Sequence, residues 1–99
     1  MYSQTNRNTS PYFSVTGCML DVSSNIAARQ IVGDNIRCYR VKLHWTQLKL
    51  STICGLNHDY IGRLERGLEN IGVDNLLKVA LALGVESHTL LIERYCFEH

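Results

Sequence analysis

A chain of 99 residues, 45% of them hydrophobic, has material for one compact core and too little for two. Its net charge of +1 singles out no class of partner, and no apolar run reaches the roughly 18 to 20 residues that span a bilayer. The first thirty residues lack the basic-then-apolar layout of a secretion signal, so the sequence reads as soluble and cytoplasmic.

Residues 1–25 are rich in Ser, Thr and Asn, a composition that cannot bury enough apolar area to order itself. Two β-prone runs, Tyr12-Phe13-Ser14-Val15 and Cys18-Met19-Leu20-Asp21-Val22, flank Gly17. This N-terminal arm therefore reads equally as a flexible segment or as a short β-hairpin docked on the rest. From Ile26 the pattern turns helical: Ile31, Val32, Ile36, Tyr39 and Leu43 form one apolar stripe, with Arg37, Arg40 and Lys42 pointing elsewhere.

Thr46 is a good N-cap for a short second helix that turns Leu50, Ile53 and Cys54 inward and stops at Gly55, a residue free to take positive φ. Asn57 caps a third helix with Ile61 and Leu64 inward and His58, Asp59, Gly62 and Arg63 outward, closing at Gly67. Val73, Leu76, Leu77, Ala80 and Leu83 predict a fourth helix ending at Gly84. Leu90, Leu91 and Ile92 predict a fifth, capped by Glu86 or Ser87, with Tyr95 and Phe97 beyond it. That is more apolar surface than a frayed end needs, so Leu90, Leu91, Tyr95 and Phe97 are assigned to a partner-subunit contact. The expected architecture is all-α: a five-helix domain over 26–99 preceded by the arm.

Cys18, Cys38, Cys54 and Cys96 are widely spaced, with no C-x-x-C pair, and are expected to be free thiols. Cys54 with His58, or Cys96 with His99, would supply two metal ligands, half of the usual four, so no metal or other cofactor is expected. Neither a glycine-rich phosphate loop nor a nucleophile context is present, which argues against an enzyme.

Charge is unevenly distributed. From Arg37 to Arg66 six basic residues face two acidic ones, giving +4; from Gly67 onward two basic residues face five acidic ones, giving −3. A domain that presents one face to phosphate and keeps the other away from it has this pattern.

The stretch from Thr46 to Gly67 resembles the phage repressor/Cro helix-turn-helix family, also known as the xenobiotic-response-element family. The resemblance rests on Thr46-Gln47, Leu50-Ser51, Gly55-Leu56-Asn57, Ile61-Gly62 and Glu65-Arg66-Gly67. It continues through Leu76-Leu77-Lys78-Val79-Ala80, Leu83-Gly84-Val85 and Leu90-Leu91, covering about residues 33–92. Leu48, where the family has a polar residue, and Ile71-Gly72, where it has Pro-Ser, depart from the pattern, as does Gly62 inside the third helix.

The resemblance implies a regulator of transcription that binds double-stranded DNA as a homodimer, one recognition helix per major groove of a near-palindromic operator. Repression is the preferred direction, and contact with RNA polymerase is compatible with it. The alternative on the same fold is an antitoxin or protein-interaction adaptor. Matched to the family's positions, Gln47 beside Thr46 holds a phosphate, and His58, Asp59 and Arg63 read base edges. Asp59 is also suited to capping the helix with Asn57, and Tyr60 and Arg66 reach the backbone. Arg40, seven residues before Gln47, is expected to pair with Glu65 and to be aimed at the DNA backbone. The expected DNA-contacting set is thus Arg40, Thr46, Gln47, Asn57, His58, Asp59, Tyr60, Arg63 and Arg66.

Overall fold

The structure, a computed structural model, describes residues 22–99. The candidate hairpin about Gly17 lies outside these residues apart from Val22, which is the first residue of helix α1 (Val22–Lys42). There follow α2 (Gln47–Cys54), α3 (His58–Glu65), α4 (Val73–Leu83), a 3-10 helix η1 (Ser87–Leu91) and the single-turn α5 (Tyr95–Glu98). No strand occurs among the described residues. Helix α1 begins four residues before the Ile26 that opens the apolar pattern, because its early turns carry no regular apolar signal.

Local chemistry explains where the elements stop. The Thr46 hydroxyl accepts from the Lys49 N–H at 3.0 Å, and the Asn57 side chain accepts from Asp59 and Tyr60 N–H groups, so α2 and α3 are each capped by their preceding polar residue. Gly55, Gly67 and Gly84 follow α2, α3 and α4 with φ of 76°, 75° and 76°, the left-handed region that stops a helix cheaply only at glycine. At the end of α3, Leu68 N–H donates to Arg63 C=O and Gly67 N–H to Leu64 C=O, the paired bonds of a Schellman turn. That turn sends the chain back along the helix it has just left.

Val32 and Ile36 of α1, Leu50 of α2, Ile61 and Leu64 of α3, Val79, Ala80 and Leu83 of α4, and Leu90 of η1 form one buried core. Helix α1 crosses the end of α3 so closely that a Cβ on Gly33 would run into the Leu64 carbonyl oxygen. Glycine inside a helix costs about 1 kcal/mol relative to alanine, and here that cost permits the crossing.

Three expectations about the core change. Val73 and Leu77 are exposed and, with Leu81, form an outward stripe on α4, while its inner face is Leu76, Val79, Ala80 and Leu83. Apolar residues span more than half of the helix, with Asp74, Asn75 and Lys78 on the rest, so the pattern could not fix which part of that wide arc turns inward. Ile53 is likewise exposed, and Leu43 lies in the turn beyond α1, next to His44 at φ 61°. Finally, the fifth helix is split: η1 carries Leu90 into the core, and Arg94 at φ 58° separates it from α5.

The C-terminal segment is fastened to α1 from several directions. Asn35, fully buried, donates to the Leu90 and Ile92 carbonyls at 3.0 and 2.8 Å and accepts from the Cys96 N–H at 3.0 Å. Lys42 Nζ donates to the Cys96 carbonyl at 2.6 Å. Cys38 and Cys96 are joined in a disulfide, with Cα atoms 6.1 Å apart. This corrects the expectation of free thiols: no C-x-x-C or secretory context marks a pair that only the fold brings together. Cys54 is a free thiol, half-buried against the core, and burial pushes its pKa up.

Candidate nucleic-acid interface

The N-terminus of α2 and the outer side of α3 meet at an open polar cleft of about 350 Å³, lined by Gln47, His58, Asp59, Gly62, Arg63 and Arg66. Under it lies a charged network that fixes the angle between the helices. Glu65, whose side chain is 2% exposed, accepts from Arg40 Nε at 2.6 Å, Arg40 Nη2 at 2.9 Å and Gln47 Nε2 at 3.0 Å. Arg40 Nη1 donates to the Trp45 carbonyl at 2.7 Å. The expected Arg40–Glu65 pair is present, and it joins the end of α1, the start of α2 and the end of α3.

Such a pair is costly to bury, and it is retained here with several hydrogen bonds on the buried carboxylate. Its geometry redefines Arg40. With every guanidinium nitrogen engaged inside the domain and the side chain only 12% exposed, Arg40 is an internal brace. Gln47 is braced by the same carboxylate and lines the cleft at the start of α2.

The other candidate residues fall into place around this frame. His58 and Asp59 project from the first turn of α3 into solvent, with His58 Nδ1 4.0 Å from Asp59 Oδ1. The helix cap is made by Asn57, not by the Asp59 carboxylate. Tyr60 packs partly against the core, and its hydroxyl accepts from Asn75 Nδ2 at 3.2 Å. Arg66, at the C-cap of α3, is exposed. Gly62 is the floor of the cleft: a Cβ there would sit 3.4 Å from Gln47 Oε1 and 3.7 Å from Arg66 Nη1, ordinary contacts that leave room for a methyl group.

Arg63 carries a partner that sequence reasoning did not find. Its Nε donates to Glu69 Oε2 at 2.6 Å, across the Schellman turn. Along the chain Glu69 belongs to the acidic C-terminal part, yet it reaches the cleft residue Arg63 from the adjoining hollow. Glu65 and Glu69 thus cover two of the arginines in the basic stretch, and Lys42 is turned toward Cys96. The positive character of this side is smaller than the linear charge distribution suggests.

The residues assigned to a partner subunit do not form one group. Leu90 is fully buried in the protomer's own core and has no surface to offer, whereas Leu91 is 55% and Phe97 49% exposed. Tyr95 is partly buried and stacks on His99 at a centroid distance of 4.1 Å. Among the described residues no three metal-ligating side chains converge, and Cys96, paired with His99 in the metal reading, is held in the disulfide.

Comparison with known proteins agrees with this geometry. Residues 36–90 match the helix-turn-helix family model. The chain is 39% identical over 64 residues to a hypothetical transcription factor of Neisseria meningitidis serogroup B, covering 65% of this chain and 60% of that protein. It is also 39% identical over 64 residues to the control protein C.BamHI of Bacillus amyloliquefaciens, covering 64% of this chain and 79% of the relative. The crystal structure of the restriction-modification controller protein C.AhdI from Aeromonas hydrophila superimposes with a TM-score of 0.63 at 34% identity, covering 65% of this chain and 97% of that one. The chain belongs to the phage repressor/Cro-type helix-turn-helix family of DNA-binding transcription regulators.

Proposed function

We propose that this protein is a sequence-specific, homodimeric regulator of the restriction-modification controller type, which occupies a near-palindromic operator and represses or adjusts transcription from the promoter beneath it. One observation carries the proposal: the polar cleft along α3 is open, and Gln47, His58, Asp59, Arg63 and Arg66, all of which the family's motif assigns to the duplex, line it. An α-helix about 10 to 12 Å across fits the B-DNA major groove, and here α3 is held for entry by the Arg40–Glu65–Gln47 brace.

Within this reading Gln47 and the N-terminal amides of α2 rest on phosphate, with Thr46 and Asn57 shaping the two helix starts. His58, Asp59 and Arg63 meet base edges, Arg66 meets the backbone, and Tyr60 positions α3 through Asn75. Arg40 acts through Glu65 without touching DNA. Of the residues assigned to a partner subunit, the exposed Leu91 and Phe97 are the ones with apolar surface left for a second copy.

Selection of bound sequences from a random duplex pool tests the proposal. It is expected to return two inverted half-sites whose centres lie about 34 Å, one helical turn, apart. Arg63→Ala should flatten one base position in each half-site at a cost of about 1 to 3 kcal/mol. Recovery of no enriched sequence would reject DNA recognition and favour a protein-binding adaptor.

A further inference from the structure

We infer that Glu69 is a specificity-determining positioning residue, which holds the Arg63 guanidinium so that only its terminal Nη1/Nη2 edge is presented to a base. The inference rests on α3 being the reading helix and extends that reading to a residue outside it.

Arginine can meet guanine O6 and N7 through two different edges, the Nη1/Nη2 end or the Nε/Nη2 side, and the two place the side chain differently in the groove. In this protein the choice is already made. Arg63 Nε donates to Glu69 Oε2 at 2.6 Å, and neither side chain is deeply buried, with 42% and 29% exposure. Arg63 lines the cleft with Gln47, His58, Asp59, Gly62 and Arg66, while Glu69 approaches it from the neighbouring hollow that it shares with Arg29 and Leu91.

Backbone geometry keeps Glu69 in place. Gly67 at φ 75° and the bonds from Gly67 and Leu68 N–H groups to Leu64 and Arg63 carbonyls turn the chain back, which brings Glu69 over a residue six positions earlier. Gly67 cannot be exchanged freely, since a Cβ would lie 2.6 Å from Gln30 Oε1 and 3.3 Å from the Gln30 Cα. The carboxylate thus follows directly on a hydrogen-bonded turn.

Charge gives the same residue a second effect. An unpaired arginine at the groove edge will bind any phosphate within reach, which raises affinity for all sequences alike and gives no discrimination. The Glu69 carboxylate offsets that charge, fixes the guanidinium plane and leaves two outward donors directed by geometry. Sequence discrimination gains and nonspecific affinity falls.

The test compares wild type, Arg63→Ala, Glu69→Ala and Glu69→Gln by bound-sequence selection, together with titration of a nonspecific duplex over a range of salt. Arg63→Ala identifies the base position that Arg63 reads. Glu69→Ala is expected to reduce preference at that same position about tenfold, equivalent to about 1.4 kcal/mol. It should also raise nonspecific affinity several-fold and steepen the salt dependence by up to about one phosphate contact. Glu69→Gln, which keeps an acceptor oxygen for Nε, should retain more of the preference than Glu69→Ala while still raising nonspecific affinity. An intact preference in Glu69→Ala, with Arg63→Ala flattening its position, overturns the positioning role and leaves the reading of α3 standing. Unchanged selection in Arg63→Ala removes Arg63 from the base-reading residues and overturns the positioning role of Glu69 with it.

Discussion

The α2–α3 corner and the C-terminal segment are fastened to the same helix, α1, by opposite means. At the corner, short-range chemistry prevails: Thr46 and Asn57 caps, a left-handed Gly55, and a buried carboxylate that joins three helix ends. At the C-terminus, η1 and α5 are short and poorly capped, and they are held by side chains more than fifty residues away, Asn35 and Cys38. A surface that must present several side chains at fixed angles is built from internally rigid parts. A segment that offers exposed Leu91 and Phe97 is tied down by long-range clamps instead.

The largest expected effect breaks the second region. The Cys38–Cys96 bond closes a loop with a sequence separation of 58. Its loss is predicted to lower stability by up to about 4 kcal/mol on the chain-entropy account. Denaturant titration with and without a dithiol reductant, repeated on Cys38→Ser, measures this; coincident midpoints in all conditions would show that the clamp contributes nothing.

Next in size is Asn35→Ala. It leaves the Leu90 and Ile92 carbonyls and the Cys96 N–H without their buried partner, and each such loss costs about 1 to 3 kcal/mol. We expect a total near 3 kcal/mol, read as a lowered midpoint, with hydrogen-exchange protection lost first in η1 and α5. Uniform loss across all helices would show that the C-terminal segment is no separate unit.

The smallest effect separates stability from function at the corner. Gly62→Ala has room for its methyl group and should stabilise α3 by up to about 1 kcal/mol. The same methyl occupies the cleft floor, so affinity for a selected operator should fall several-fold although the protein melts at higher temperature. A rise in both would mean that the duplex does not approach Gly62.

The two regions also differed in what their sequence disclosed. Caps and glycine stops are set by residue type over three or four positions, so Thr46, Gly55, Asn57, Gly67 and Gly84 marked the helix boundaries in advance. The Arg40–Glu65 pair followed from the family resemblance. Nothing local announced that Asn35 would accept from a backbone N–H sixty-one residues away, or that Cys38 would meet Cys96. Polar Asn35 stands at helical spacing between Ile31 and Tyr39 on the apolar stripe of α1, and that was the one available signal for a buried hydrogen-bonding side chain. The phase of α4 was obscured because its apolar arc is wider than the part that meets the core, and Glu69 was hidden because its charge was read along the chain and not across a reversing turn.

The most direct test of duplex recognition is backbone amide chemical-shift mapping of the protein titrated with a duplex carrying its selected sequence. The account predicts that the largest changes fall on Gln47 and on residues 58–63, with α4 and the outer face of η1 little affected. Changes concentrated on the exposed Val73, Leu77 and Leu81 stripe, with α3 silent, would contradict it.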